Sequence, residues 1–264
     1  MESAEEAERL EDKTSAEETR RQLTLVGLEP RMRALDAGAG TGAVAREMAA
    51  MVGPSGSVVA FDGSHDRLVA GALLADAPNL EFATGDLYAP PLPPASFDFI
   101  WCRFVFEYLA EPDAVLLQLQ RLLKPGGKLV VGDLDGNALF HYPLAPEHEQ
   151  ALHVLMGALK GGFDPYAGRK LFHRFRKTGL SAIRVHLLPY HLIAGAASAR
   201  ELRNWEAKLR TLRPVGERAF GSLAEWERFE TRSLALLRDP DTLTYSTLFL
   251  VEGRRPADGP EVAA

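Results

Sequence analysis

From Arg33 onward, short apolar runs alternate with amphipathic stretches, and their order predicts a parallel sheet with crossover helices. The runs at 33 to 38, 57 to 61, 80 to 83, 97 to 102 and 127 to 133 read as strands. Helices fit between them at 42 to 52, 65 to 75 and 112 to 123. Ahead of this region, Thr14 or Ser15 offers an N-cap with acidic residues in the first turn, and Leu23, Val26 and Leu28 follow at roughly helical spacing. Downstream, helices are expected at 146 to 160 and 168 to 178, the second stopped by Gly179. A strand at 182 to 189 then places Ile183, Val185 and Leu187 on one face. A helical stretch from 198 to 238, divided at Pro214 and Gly216, precedes a last strand at 243 to 251.

The chain has 264 residues, 46% of them apolar, enough to bury one sizeable core. We expect a single domain over 14 to 253 with a helical cap inserted at about 192 to 240, flanked by a flexible acidic start (1 to 13) and a flexible tail (254 to 264). A net charge of −6 gives a nucleic-acid backbone no general attraction, so no nucleic-acid partner is expected. Nowhere do about 18 apolar residues run together, so no membrane span is expected. The acidic start lacks the features of a secretory signal, and the single cysteine, Cys102, fits a reducing compartment. A cytoplasmic location is the expectation.

Candidate chemistry begins at LDAGAGTG, residues 35 to 42, where a strand meets a helix. Gly38, Gly40 and Gly42 let the backbone turn sharply and approach a ligand, with Ala39 between them. Gly38, Gly40 and Ala43 also satisfy the relaxed dinucleotide pattern, so the glycines alone leave a nicotinamide-dependent oxidoreductase open. Asp36 separates the readings: a carboxylate there would repel a pyrophosphate, whereas S-adenosyl-L-methionine carries positive ammonium and sulfonium groups and no phosphate. Asp62, 24 residues beyond Gly38, stands at the spacing of a ribose-hydroxyl acceptor, and Gly63 lets the chain pass the ribose closely. In TGDLY, Asp86 can accept an adenine amine and the Leu87 amide can meet a ring nitrogen, while Gly85 leaves room for the ring. At the end of the fourth strand, Cys102 reads as a structural thiol beside the cofactor, and Arg103 as an anchor for a carboxylate or one half of a structural ion pair.

LDAGAGTG, FDGS, GDLY, SFDFIWCRFVFEYL and LLKPGGKLVV, in this order over residues 33 to 135, resemble the class I S-adenosylmethionine-dependent methyltransferases. Within that family the pattern is most similar to the ubiquinone and menaquinone C-methyltransferases and related small-molecule enzymes. The resemblance implies a Rossmann-like α/β fold, an open seven-stranded sheet whose last strand is antiparallel, with the cofactor across the carboxyl ends of strands one to four. Two departures matter. Tyr108 stands where similar enzymes carry a histidine, and the loop after strand four lacks the Asn/Asp-Pro-Pro-aromatic motif that grips a planar amine.

For the acceptor side, Arg103, Glu107 and Tyr108 after strand four face a second group after strand five: Asp133, Asp135, His141 and Tyr142. His141, Tyr142 and Glu107 are the catalytic candidates, His141 because its ordinary pKa is about 6.5. Asp133, Asp135 and Asn137 alternate as oxygen ligands would, but GDLDGNALF lacks the further ligands of a calcium loop, so no metal is expected. Trp205, Phe220 and Trp226 could close an apolar pocket, or the helical insertion could be a homodimer contact or extra packing; His186, Tyr190 and His191 could reach that pocket from strand six. The sequence thus points to methyl transfer to oxygen or carbon of a small-molecule acceptor. The alternatives are the oxidoreductase and a protein that binds S-adenosylmethionine without catalysis.

Overall fold

The computed structural model describes residues 15–159 and 162–257, without the side chains of 137–139. The acidic start, Thr14 and the end of the tail lie outside the described residues. Helix α1 (Ala16–Leu25) is followed by β1 (Arg33–Ala37), α2 (Ala43–Val52), β2 (Ser57–Asp62), α3 (His65–Ala72), β3 (Leu80–Thr84) and β4 (Phe97–Arg103). A short 3-10 turn at Phe106–Tyr108 leads into α4 (Pro112–Leu122) and β5 (Leu123–Tyr142). Then come α5 (Pro146–Ala158), α6 (Ala167–Lys177), β6 (Ser181–Ala194), α7 (Ala199–Phe220), α8 (Leu223–Arg238) and β7 (Leu243–Arg254).

The seven strands form one sheet in the order β3-β2-β1-β4-β5-β7-β6. The first five pair in parallel, and β7 is antiparallel to both neighbours, as the resemblance implied. The strand order reverses between β1 and β4, so the loops leaving their carboxyl ends diverge and open a crevice there. The central strands are buried on both faces. Leu35, Phe61, Ile100 and Val131 pack with α4 and α6 on one side, and Ala34, Val58, Trp101 and Val130 pack with α1 and α2 on the other. This double burial explains why these strands read as continuous apolar runs.

Four boundaries differ from the sequence-based expectation. Strand β5 continues to Tyr142 instead of ending at 133, because β7 pairs with it along its length across an irregularity between Asp135 and Phe140. For the same reason β6 reaches Ala194, and β7 continues to Arg254, so the tail begins later than expected. Helix α7 runs through Pro214 and Gly216 unbroken and ends at Gly221, whose φ of 83° supplies the left-handed cap; Ser222 then caps α8.

Gly216 has a packing role instead: a Cβ there would lie 1.9 Å from the Trp226 ring. That contact lets α7 and α8 close on α5 around Leu152, Leu155, Leu209, Trp226 and Phe229, a satellite core apart from the sheet. Buried His148 stacks on Phe229 with 5.0 Å between ring centroids. The insertion therefore uses Trp226 for packing.

Gly216→Ala should destabilise this cap by about 1–3 kcal/mol, because the indole has to move to admit a methyl group. Chemical denaturation followed by tryptophan fluorescence would measure the loss; unchanged stability would mean α7 and α8 are not tightly packed.

Candidate active site

The crevice at the strand reversal is a cleft of about 620 Å³. The glycine turn forms its floor, and that turn is held by hydrogen bonds to β2. The Gly38 and Ala39 amides both donate to the Phe61 carbonyl, at 2.8 and 3.0 Å, and the Gly40 amide donates to Asp62 Oδ2 at 2.7 Å. Asp62 Oδ1 accepts from the Ser64 amide at 2.8 Å, tying the start of α3 to the same carboxylate. Three successive amides that could have cradled a phosphate are thus already engaged. Gly38, at φ 78°, has a second constraint, since a Cβ there would come within 2.3 Å of Val105 Cγ2.

Asp36 ends up almost wholly buried between β2 and β4, opposite Ala60 and Trp101. Burial raises its carboxyl to about 7, although Arg103 pulls it down; Asp62 adds to the rise. Its Oδ2 has no hydrogen-bond partner among the described residues. A buried carboxyl oxygen without a donor is costly unless a ligand supplies one. Arg103 is half-buried, donates to Gln22 Oε1 at 2.7 Å, and lies 5.0 Å from the Phe104 ring centroid.

Of the sequence candidates, Asp36, Gly38, Ala39, Gly40, Asp62, Gly63, Leu87, Arg103 and Glu107 all line the cleft, and Tyr108 and Tyr190 join them. Gly85 and Asp86 do not; Asp86 is exposed and accepts from the Tyr88 amide at 2.9 Å, closing a local turn. Cys102 faces the core, and burial pushes its thiol well above the ordinary range. His141 and Tyr142 lie outside the cleft. The extension of β5 pairs His141 with Thr244, and its Nδ1 is 2.8 Å from Thr244 Oγ1, while the Tyr142 ring is 77% exposed. His186 is engaged by Glu252 at 3.1 Å, and His191 lies between Ser246 and Lys208.

Asp133 and Asp135 do not converge. Asp135 forms a two-point pair with Arg169 at 2.6 and 2.8 Å, whereas Asp133 accepts from the Glu107 and Leu134 amides at 3.0 and 2.9 Å. The side chain of Asn137 is not among those described.

Helix α1 contributes a wall that the sequence reading missed: Ser15, Glu18, Thr19 and Gln22 line the cleft. Thr19 and Gln22 share the buried face with Leu23 and Val26. Polar residues on an otherwise apolar helical stripe were the available signal.

Residues 35–131 match the family described as Methyltransferase domain. The matched segment runs from β1 to β5 and includes the glycine turn, Asp36 and Asp62. The chain is similar to the nocamycin O-methyltransferase of Saccharothrix syringae, at 29% identity covering 91% of each chain. It is 35% identical to the ubiquinone/menaquinone biosynthesis C-methyltransferase UbiE of Ectopseudomonas mendocina, over 41% of this chain and 44% of that one. Several curated relatives are matched over only 36% to 47% of their own lengths. A crystal structure of a putative methyltransferase from Bacillus halodurans shares the fold, with a TM-score of 0.63 at 16% identity over 91% of this chain and 99% of that one.

The cleft suits a cation, and this gives a pH signature. A positive ligand group beside Asp36 favours its ionised form, so binding should release a proton while the free carboxyl is still protonated, below about pH 7. Affinity for S-adenosylmethionine should therefore rise as the pH approaches 7 from below, by up to about tenfold per unit, and level off above it. Calorimetry in buffers of different ionisation enthalpy would register the proton. Asp36→Asn should bind more weakly and lose this dependence; an unchanged profile would place the cation elsewhere.

Proposed function

We propose that this protein transfers the methyl group of S-adenosylmethionine to an oxygen or carbon atom of a small-molecule metabolite. One observation carries the reading: two buried carboxylates stand at the tips of adjacent strands over a turn whose amides are engaged within the protein. Such a floor favours a positively charged nucleoside and withholds the Gly38, Ala39 and Gly40 amides from a pyrophosphate, which disfavours the oxidoreductase.

The residues present fit the cofactor. Asp62 retains lone pairs for the two ribose hydroxyls after accepting its two amides. Leu87 borders the adenine end of the cleft, and Asp36 Oδ2 supplies the acceptor for the ammonium group. Arg103 has N–H groups beyond the one given to Gln22, and these suit the carboxylate. When bound, the cofactor supplies an electrophilic methyl group on a sulfonium. The protein's part is to hold the acceptor in line and exclude water, with α1 and Phe104 covering the cleft.

Glu107, nearly buried and lining the cleft, is the group this reading assigns to the acceptor's proton. The similarity to an O-methyltransferase over 91% of the chain supports oxygen as the acceptor atom to test first. Among the described residues no helix is long and apolar enough to cross a membrane.

Calorimetry should detect binding of both S-adenosylmethionine and S-adenosylhomocysteine, and failure of both with folded protein would defeat the proposal. Labelled cofactor incubated with a broad metabolite panel should give a labelled product; retained binding with no product would favour a non-catalytic binder. Asp62→Ala should weaken S-adenosylhomocysteine by about 1.5–3 kcal/mol or more, because both a charged acceptor and the tie to Gly40 are lost. Unchanged affinity in the folded variant would remove Asp62 from the site.

A further inference from the structure

A second cavity, of about 650 Å³, adjoins the cleft. Glu107, Tyr108 and Leu109 line both spaces, so the 3-10 turn after β4 forms a shared boundary. Its remaining walls come from the segments that follow β5: helix α5 and the loop entering α6. That loop is fastened to the site by its backbone. The Asp164 amide donates to the Glu107 carbonyl at 2.7 Å, and the Pro165 carbonyl accepts from Gly136 at 2.9 Å. The cavity therefore sits on the β4–β5 side of the strand reversal, beside the cleft and held in register with it.

Its lining is chemically divided. Tyr108, Met156, Phe163 and Tyr166 offer aromatic and thioether surface, and the Tyr108 and Phe163 rings meet at 5.4 Å in a tilted arrangement. Lys170, ion-paired with Asp164, adds a polar edge. At the junction Glu107 is packed against Asp133, with its amide on Asp133 Oδ2 at 3.0 Å. Burial, reinforced by the neighbouring Glu107 charge, pushes the Asp133 carboxyl well above its usual range. Such a pair can both donate to and accept from a ligand hydroxyl.

Gly157 offers a position from which the cavity can be probed. It lies inside α5 and lines the cavity, where alanine would be the better helix former. No atom lies within 4 Å of the position its Cβ would take, and its φ is not positive. Gly157 is solvent-exposed at the rim of the cavity, so a larger side chain there can reach into the space without meeting packed atoms. Gly162, on the same wall, likewise opens onto free space.

We infer that this second cavity holds the body of the acceptor, a planar aromatic or conjugated metabolite whose hydroxyl or enol group reaches Glu107 at the junction with the cofactor cleft. The inference rests on the methyltransferase reading for the role of the ligand, but the cavity can be tested without turnover. The probe is 1-hydroxy-2-naphthoate, a fluorescent planar aromatic with a hydroxyl group, titrated into the full chain. Saturable binding is expected, together with undiminished binding when S-adenosylhomocysteine is present. Gly157→Phe should fill the space and weaken the probe at least tenfold, with S-adenosylhomocysteine affinity within about twofold of the parent. Gly157→Leu, a smaller intrusion, should act in the same direction and covers the case in which the phenylalanine variant does not fold. No saturable binding to the parent, equal binding by the folded variants, or competitive displacement by S-adenosylhomocysteine would each overturn the inference. Loss of S-adenosylhomocysteine binding by the parent, with probe binding intact, would instead count against the cofactor reading alone.

Discussion

The hydrogen bond from the Gly40 amide to Asp62 Oδ2, 2.7 Å long and buried, joins the tip of β1 to the tip of β2, and most of the site's geometry follows from it. In a parallel sheet the backbone groups beyond the last ladder rung have no strand partner, and each must find one or face a ligand. Here the Phe61 carbonyl and the Asp62 carboxylate take up the amides of the turn. That arrangement draws the glycine turn toward β2, brings Gly38 against Val105, and engages the amides a phosphate would need. Charge selection thus comes from the same contacts that shape the turn.

A second consequence is the electrostatic isolation of Asp36. Its strand is flanked by β2 and β4, so water is excluded, and Arg103 is the nearby cation that offsets the burial. Arg103 is in turn tied to Gln22 of α1, so the helix covering the cleft and the strand tip beneath it are coupled through one guanidinium. Occupation of the cleft by a cationic ligand would alter the balance among these groups, since the ligand would take over part of the compensation now supplied by Arg103.

The antiparallel half of the sheet has a different task. Long pairing of β5 with β7 and of β7 with β6 builds a platform on which α6 is seated, and buried Glu252 fastens it through Lys128 at 2.8 Å and His186 at 3.1 Å. Burial works against the Glu252 charge, but the hydrogen bonds from Lys128 and His186 prevail and hold its carboxyl below the usual range. The cap uses α5 as a shared wall: Leu152 and Leu155 face α7 and α8, His153 and Gly157 face the second cavity, and Met156 belongs to both. The inserted helices therefore support that cavity from behind.

Several features were legible from residues alone because they are local or follow from charge. The alternation of apolar runs and amphipathic stretches determined the order of strands and helices. The glycine turn and the acids Asp36 and Asp62 determined that a cationic nucleoside was the better ligand. Other features arise only when distant segments meet. The lengths of β5 and β6 depend on β7, more than a hundred residues beyond the start of β5, which is why His141 leaves the cleft and is engaged by Thr244. Pro214 and Gly216 looked like breakers because propensity counts only the helix's own backbone. Packing of Trp226 into the space over Gly216 outweighed that local preference. Likewise, no spacing rule could have brought Gln22 to Arg103 or set Glu107 between two cavities. Those neighbours are fixed by how α1, the turn after β4 and the loop before α6 pack over the carboxyl ends of the sheet.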